Sequence, residues 1–295
     1  MLNRRQLLAG LAGAAAASAQ PAPRFRKSIC SVALPPRMAI AEKFKLARDN
    51  GFEGIELRVG DELALDSTSA DLSRLADAAQ QNGITVVSVW DSNPLSKAPL
   101  NSPDPALRAK GVEAIRMAID FAQKLNCGAI LLYPGRVAPG VGYQDTWDRF
   151  TEELRKLLPD AEHARVTLTM ENVWNKFLLS PLEMRAFVDQ FRSPWLASHF
   201  DMGNVMQFGY PQDWIQTLGT RIKRIHVKDY KLSAKAEQGR FVPLFEGDVD
   251  FKAVMQSLVA VGYSGFLSPE YGYDANDANY LKTLSQKLDR ILAMG

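Results

Sequence analysis

From residue 27 onward, short runs of β-branched and other apolar residues alternate with longer amphipathic stretches. The short runs have the length of buried strands, and the longer stretches repeat apolar positions at helical spacing. This pattern predicts eight strands, at residues 28–33, 54–57, 85–90, 129–133, 167–171, 196–201, 222–227 and 265–270. It predicts helices near residues 37–50, 71–82, 104–126, 144–165, 181–191, 211–219, 250–262 and 274–293.

Turn signals such as Asn50-Gly51 and Asn82-Gly83 separate these elements. Eight strands that are each followed by a helix predict an α/β fold, a single-domain (β/α)₈ TIM barrel over residues 25–295. A doubly wound open sheet is the alternative, but no Gly-x-Gly-x-x-Gly turn follows the first predicted strand. No linker-like stretch rich in Pro, Ser or Gly follows residue 24, which favours one domain.

The first nineteen residues differ in composition from the rest of the chain. Arg4-Arg5 precedes a mildly apolar run of Leu, Ala and Gly, which ends in the small-x-small triplet Ala17–Ala19. This arrangement predicts a signal peptide over residues 1–19, and the paired arginines resemble a twin-arginine signal. We therefore expect a periplasmic or secreted protein. An ordinary secretory signal and an amphipathic first helix are the alternatives.

Charge and cysteine content narrow the function classes. The chain has 35 basic and 33 acidic residues, and removal of Arg4 and Arg5 would leave equal numbers. It therefore lacks the basic excess of a dedicated nucleic-acid binder, and no later apolar run has the length of a membrane span. Cys30 and Cys127 fall in or beside strands that are not neighbours in a barrel, so we expect two free, buried thiols.

Four ionisable residues fall at the ends of predicted strands, where a TIM barrel forms its active site. Glu171, Asp201 and Glu270 end strands five, six and eight, and His226 lies one residue before the end of strand seven. Three carboxylates and one imidazole favour Mn²⁺, Mg²⁺ or Co²⁺, with Zn²⁺ as an alternative. Each residue alone could be a helix cap or a core residue. The prediction of a metal site depends on all four residues lying at or next to the ends of predicted strands.

The other two histidines are predicted to lie away from the ligand positions. His199 points in the same direction as Asp201 but one layer deeper, so we expect it in the barrel interior rather than on the metal. His163 lies beside Glu162 and Arg165 in a polar helix, which indicates a surface residue.

Five segments occur in an order that resembles a known family. They are Glu171–Asn175, His199–Asn204, Arg224–Asp229, Glu246–Phe251 and Ser268–Glu270. With them the sequence resembles the sugar-phosphate isomerase/epimerase family, the xylose-isomerase-like TIM barrels that include ketose 3-epimerases.

The resemblance implies a divalent metal bound by Glu171, Asp201, His226 and Glu270, and a small sugar as substrate. It also implies that Glu171 and Glu270 act as an acid/base pair. They would move a proton at the carbon beside a carbonyl through an enediolate. Asn204, Lys228 and Trp174 are the predicted substrate-binding residues. The expected class is therefore a metal-dependent isomerase of carbohydrate metabolism.

The sequence departs from the ketose 3-epimerases at two positions. They commonly have a histidine three residues after the metal-binding aspartate, where this chain has Asn204, and a further glutamate where it has Lys176-Phe177. These departures leave the sugar open, and the predicted export favours a non-phosphorylated keto-sugar. Arg136 and Lys228 are the cations that could bind an anion.

Two other functions are compatible with the same barrel: a 3-keto-glycoside lyase that uses the same metal and base, and a non-catalytic sugar-binding protein. A DNA-cutting relative with a multi-zinc site is disfavoured, because the chain has only three histidines. A homo-oligomer is compatible with the sequence. Tyr143, Trp147 and Phe208 are interpreted as loop aromatics that could serve an interface or a lid.

Overall fold

A computed structural model of the protein describes residues 24–91, 98–233 and 238–295. The predicted signal peptide, residues 1–19, lies outside the described residues. Among the helices that are described, none is long and apolar enough to cross a membrane.

Eight parallel strands close into a barrel in which neighbours in the sequence are neighbours in space. The barrel strands are β1 (Phe25–Cys30), β2 (Gly54–Val59), β3 (Thr85–Asp91), β4 (Ala129–Leu132), β5 (Thr167–Glu171), β6 (Leu196–Asp201), β7 (Ile222–Val227) and β10 (Gly265–Pro269). A two-stranded antiparallel hairpin, β8 (Asp229–Lys231) and β9 (Arg240–Val242), follows β7.

Helices connect successive barrel strands and cover the outside of the barrel. They are α1 (Ile40–Asp49), α2 (Ser69–Gln81), α3 (Pro105–Lys124), α4 (Tyr143–Ala164), α5 (Pro181–Asp189), α6 (Met202–Val205), α7 (Pro211–Leu218), α8 (Phe251–Ala260) and α9 (Tyr280–Leu292). Two of these helices begin with side-chain caps. Ser180 and Glu183 form a capping box on α5, and Asp250 accepts a hydrogen bond from the Ala253 amide of α8.

The predicted TIM barrel is confirmed, and β5, β6 and β7 have the predicted bounds. The first strand was placed three residues too late. It begins at Phe25, and Ser31–Ala33 form a 3₁₀ turn instead. The reason is that the apolar run continues beyond the strand, because Ala33 and Leu34 are buried in and after that turn. The hairpin and α6 were not predicted, because three- and four-residue elements are too short to show a period.

Alternation along the strands divides the interior into two regions. Ile55 and Leu57 of β2 belong to the apolar core between strands and helices, whereas Glu56 between them is buried inside the barrel. Cys30 and Cys127 are both buried and free, as predicted. The barrel interior is therefore partly polar, and this polar layer lies beneath the strand ends that carry the predicted ligands.

Candidate metal centre and substrate cavity

The barrel brings the four predicted ligands together. Glu171 and Asp201 end β5 and β6, His226 is the penultimate residue of β7, and Glu270 directly follows β10. One ligand atom of each residue lies within 4.8 Å of the others. His226 Nδ1 lies 3.1 Å from Glu171 Oε1, 3.3 Å from Glu270 Oε2 and 3.8 Å from Asp201 Oδ2.

Local structure fixes the positions of these side chains. A register shift between Ser198 and His199 pairs Asp201 with His226 across β6 and β7. Asn172, which the sequence analysis did not single out, exchanges two hydrogen bonds with the backbone of Asp201, at 2.8 and 2.9 Å. These bonds tie the end of β5 to the end of β6, so two ligand positions move as one unit.

The donor set fits a divalent cation. Asp201 uses Oδ1 to cap α6, accepting from the Asn204 amide at 2.8 Å. Asp201 Oδ2 and Glu270 Oε2 are buried and have no hydrogen bond of good geometry among the described residues. Both face the ammonium of Lys228, with 2.8 Å between Lys228 Nζ and Asp201 Oδ2. Buried carboxylate oxygens that are balanced by a neighbouring positive charge are also suited to a bound cation.

The charges at the site perturb one another strongly. Burial raises the pKa of Glu171, and the charge of Glu270 adds to this; although His226 and Lys228 lower it, the pKa reaches about 7. Burial also favours the neutral form of Glu270, but His226 and Lys228 outweigh it and hold that pKa well below its usual range. Burial alone would lower the pKa of His226. The Cys30 sulfur and the carboxylates of Glu270 and Glu56 raise it well above its usual range.

A second group of polar side chains lies beneath the ligands, inside the barrel. Glu56 is fully buried, and its Oε2 lies 3.3 Å from Nε2 of His226. His199 is also fully buried, as predicted, with its ring centre 4.1 Å from that of His226. Glu56 was not predicted as a residue of the site. The available signal was a charged residue between two apolar residues of a barrel strand.

A cavity of about 810 Å³ opens above the ligands, with Glu171 and Glu270 in its wall. The predicted substrate residues Asn204, Lys228 and Trp174 all line it, and so does Arg136. The Asn204 side-chain amide donates to the Asn172 carbonyl at 3.0 Å and lies 3.4 Å from Glu171 Oε1. It therefore buttresses a ligand as well as facing the cavity.

Comparison with known proteins identifies the family. Residues 44–291 match the family model described as xylose isomerase-like TIM barrel. The chain belongs to this family. An L-ribulose-5-phosphate 3-epimerase, UlaE, of Salmonella paratyphi A is 31% identical over 244 residues, covering 79% of this chain and 82% of the relative.

Two solved structures share the fold of this family member. A D-psicose 3-epimerase has a TM-score of 0.76 at 16% identity, covering 92% of this chain and 100% of the other. An L-ribulose 3-epimerase has a TM-score of 0.70 at 23% identity, covering 90% and 86%. At these identities the two structures support the fold alone. The predictions of the barrel family and of an isomerase-class sugar enzyme are confirmed at the level of the family.

Phe177, interpreted from the sequence as a departure from the ketose 3-epimerases, packs in an aromatic cluster. Phe177 is buried, with ring centres 5.0 Å from Tyr143, 6.2 Å from Trp147 and 5.9 Å from Phe187. Its side chain therefore packs against aromatic residues of α4 and α5.

The interpretation of Tyr143 and Trp147 as loop aromatics was wrong. Both lie in α4, where Trp147 packs on Phe187 at 4.8 Å. The Tyr143 hydroxyl donates to Glu183 at 2.8 Å and accepts from the Leu178 amide at 2.9 Å. The helix begins at Tyr143, one residue before the predicted start, and Trp147 lies within the predicted helix itself. Phe208 is in a loop and is half exposed, and His163 is on the surface, as predicted.

Proposed function

We propose that this chain is a metal-dependent sugar epimerase or isomerase that moves a proton at the carbon beside a carbonyl. The observation that carries this proposal is the placement of two glutamates, Glu171 and Glu270, at one cavity and in one ligand group. They come from β5 and from the end of β10, so they approach a bound sugar from different strands. One carboxylate could take a proton and the other return it.

The proposed cofactor is Mn²⁺, Mg²⁺ or Co²⁺, with Zn²⁺ as the alternative, held by Glu171, Asp201, His226 and Glu270. When bound, it would supply positive charge to the substrate oxygens on which negative charge develops. The protein would supply the acid and base and the surroundings of the sugar. We propose that Trp174 forms an apolar wall of the substrate cavity. Two contacts hold its ring there: the indole N–H donates to the Asn204 carbonyl at 3.0 Å, and the ring stacks on Phe241 with 5.2 Å between the ring centres.

We propose a non-phosphorylated keto-sugar as substrate, in line with the export predicted from residues 1–19. A phosphorylated keto-sugar is the second candidate, for two reasons. The exposed guanidinium of Arg136 lines the cavity, and the Salmonella relative is named for a phosphorylated pentulose. Turnover of paired free and 5-phosphorylated ketoses distinguishes them. We also propose that the protein is exported and that residues 1–19 are its signal peptide. The mass of the protein isolated from the periplasm tests this, because removal of residues 1–19 would lower it.

The function is tested by incubating the metal-loaded enzyme with ketoses in D₂O. We expect deuterium at the carbon beside the carbonyl and a product that is an isomer of the ketose apart from this deuterium. Glu270→Gln should reduce this exchange by about 10²-fold or more, because it removes one of the two proton-transfer groups. Release of a smaller fragment from a 3-keto-glycoside would instead support the lyase. Tight sugar binding without exchange would refute an enzyme and support a sugar-binding barrel.

A further inference from the structure

His226 joins two layers of the barrel through its two ring nitrogens. Nδ1 faces the carboxylates of Glu171, Glu270 and Asp201 at the mouth. Nε2 faces inward, 3.3 Å from Glu56 Oε2 and 3.4 Å from Cys30 Sγ. A neutral imidazole has one donor and one acceptor nitrogen, so the group that binds Nε2 decides whether Nδ1 is free to act as a ligand.

Of the two groups that face Nε2, Glu56 is the stronger acceptor. The Cys30 sulfur is only a weak acceptor, whereas a carboxylate oxygen accepts strongly. Glu56 is an acid within a fully buried strand position, where a charged residue is rare unless it is paired. Its two oxygens both lie against groups that can donate, Oε1 against the Ser268 hydroxyl and Oε2 at 3.3 Å from His226 Nε2. Glu56 is thus placed to act as an acceptor from His226.

The carboxylate of Glu56 is itself held in place. Ser268 of β10 donates its hydroxyl to Glu56 Oε1, and the Ser268 oxygen lies 2.6 Å from that of Ser28 in β1. Oε1 is thereby occupied, and Oε2 is directed at His226. The other nearby nitrogen, Nε2 of His199, is 3.9 Å away and has no hydrogen bond among the described residues.

We propose that Glu56 is a positioning residue that keeps the proton of His226 on Nε2 and so presents the Nδ1 lone pair to the metal centre. This inference rests on the proposed metal site. Such outer carboxylates fix the tautomer and orientation of a ligand histidine, and their loss weakens metal binding by about 10–100-fold.

The test compares wild type, Glu56→Gln and Glu153→Gln. The amide of Glu56→Gln can offer Nε2 either its oxygen or its NH₂ group, so the ring loses its single preferred tautomer. Glu153 is a matched control, because it is also a buried carboxylate but lies on α4, where it pairs with Arg108 at 2.9 Å. Mn²⁺ affinity is measured by competition with a chelator. We expect about 10–100-fold weaker binding for Glu56→Gln and no more than twofold change for the control.

A second readout separates positioning from general damage to the barrel. In the Zn²⁺-loaded protein labelled with ¹⁵N-histidine, the proton of His226 should reside on Nε2 in wild type, and this signal should shift or split in Glu56→Gln. Equal Mn²⁺ affinity and an unchanged His226 signal in the variant would overturn the inference. Wild type that binds no divalent metal would instead refute the proposed function.

If Glu56→Gln does not fold, Ser268→Ala gives the same information with a smaller change. It removes the hydroxyl that donates to Oε1 and leaves the carboxylate in place. We expect a several-fold loss of Mn²⁺ affinity and a shifted Nε2–H signal. An unchanged affinity and an unchanged signal in this variant would also overturn the inference.

Discussion

We expect the substitution Glu171→Gln to change the stability of the protein in opposite directions in the absence and in the presence of metal. Burial raises the pKa of the Glu171 carboxyl, and the charge of Glu270 adds to this; although His226 and Lys228 lower it, the pKa rises from 4.5 to about 7. Ionising it in the folded, metal-free protein therefore costs free energy. Glutamine has the same shape and no charge, and its oxygen can still accept a hydrogen bond from His226 Nδ1, which lies 3.1 Å from the present carboxylate.

The size and pH range of this effect follow from the pKa shift. Well below pH 4.5 the carboxyl is protonated in both the folded and the unfolded chain, so it contributes no penalty. As the pH rises toward 7, the unfolded chain ionises and the folded one does not, and stability falls. Above about pH 8 the full penalty applies, which for a change from 4.5 to about 7 is on the order of 3 kcal/mol. At pH 5 it is only about 1 kcal/mol.

The assay is thermal unfolding followed by circular dichroism at pH 5 and pH 8.5, with a chelator or with saturating Mn²⁺. In chelator at pH 8.5, Glu171→Gln should be more stable than wild type, by about 6 °C in Tm for a chain of this size. In Mn²⁺ the order should reverse, because the variant lacks one of the four ligands and gains less from metal binding.

Glu153→Gln again serves as the control. Glu153 pairs with Arg108 at 2.9 Å and with Lys156 at 2.8 Å, so its neutralisation should destabilise the protein at both pH values, with or without metal. The reasoning about Glu171 is refuted if Glu171→Gln in chelator is no more stable than wild type at pH 8.5. It is also refuted if the gain is the same at pH 5.

Two further substitutions test the surroundings of the ligands. Gly203→Ala would place a Cβ 2.5 Å from Cβ of Lys228. We expect about 1–3 kcal/mol of destabilisation and weaker metal binding from this clash. Gly128→Ala is the control and should have neither effect, because no atom lies within 4 Å of the new Cβ. Lys228→Met removes the ammonium beside Asp201 and Glu270, so we expect about 3–5 kcal/mol lower stability in chelator and substantial recovery in Mn²⁺. Thermal unfolding and chelator competition measure both, and a loss in Lys228→Met that is equal with and without metal would contradict the second.

How far the sequence predicts the fold depends on where apolar runs end. For β5, β6 and β7 the runs end where the strands end, so the predicted bounds hold. For β1 the run includes Ala33 and Leu34, which are buried against the core although they have left the sheet. Hydrophobicity records burial, and it marks a strand end only where burial and strand pairing stop together.

The same distinction explains what could be predicted of the site. The rule that strand ends form the active site of a TIM barrel was sufficient to predict which four residues the barrel brings together, Glu171, Asp201, His226 and Glu270. It could not find Glu56, because that residue lies in the middle of β2 and meets His226 only through the closure of the barrel. Its long-range contact, across 170 positions in the chain, leaves no local pattern.

The charged side chains around the proposed metal site determine how metal affinity depends on pH. His226 and Lys228 supply positive charge to Asp201 and Glu270, since their pKa values are raised well above the usual range. A metal ligand must offer a lone pair, so binding requires that Nδ1 of His226 lose its proton and that the Lys228 ammonium leave Asp201 Oδ2, now 2.8 Å away. Glu171 must likewise be ionised. All of these steps favour metal binding at higher pH, so the metal affinity should fall steeply as the solution is acidified. A Lys228 ammonium released from the carboxylates would point its charge into the cavity that it already lines.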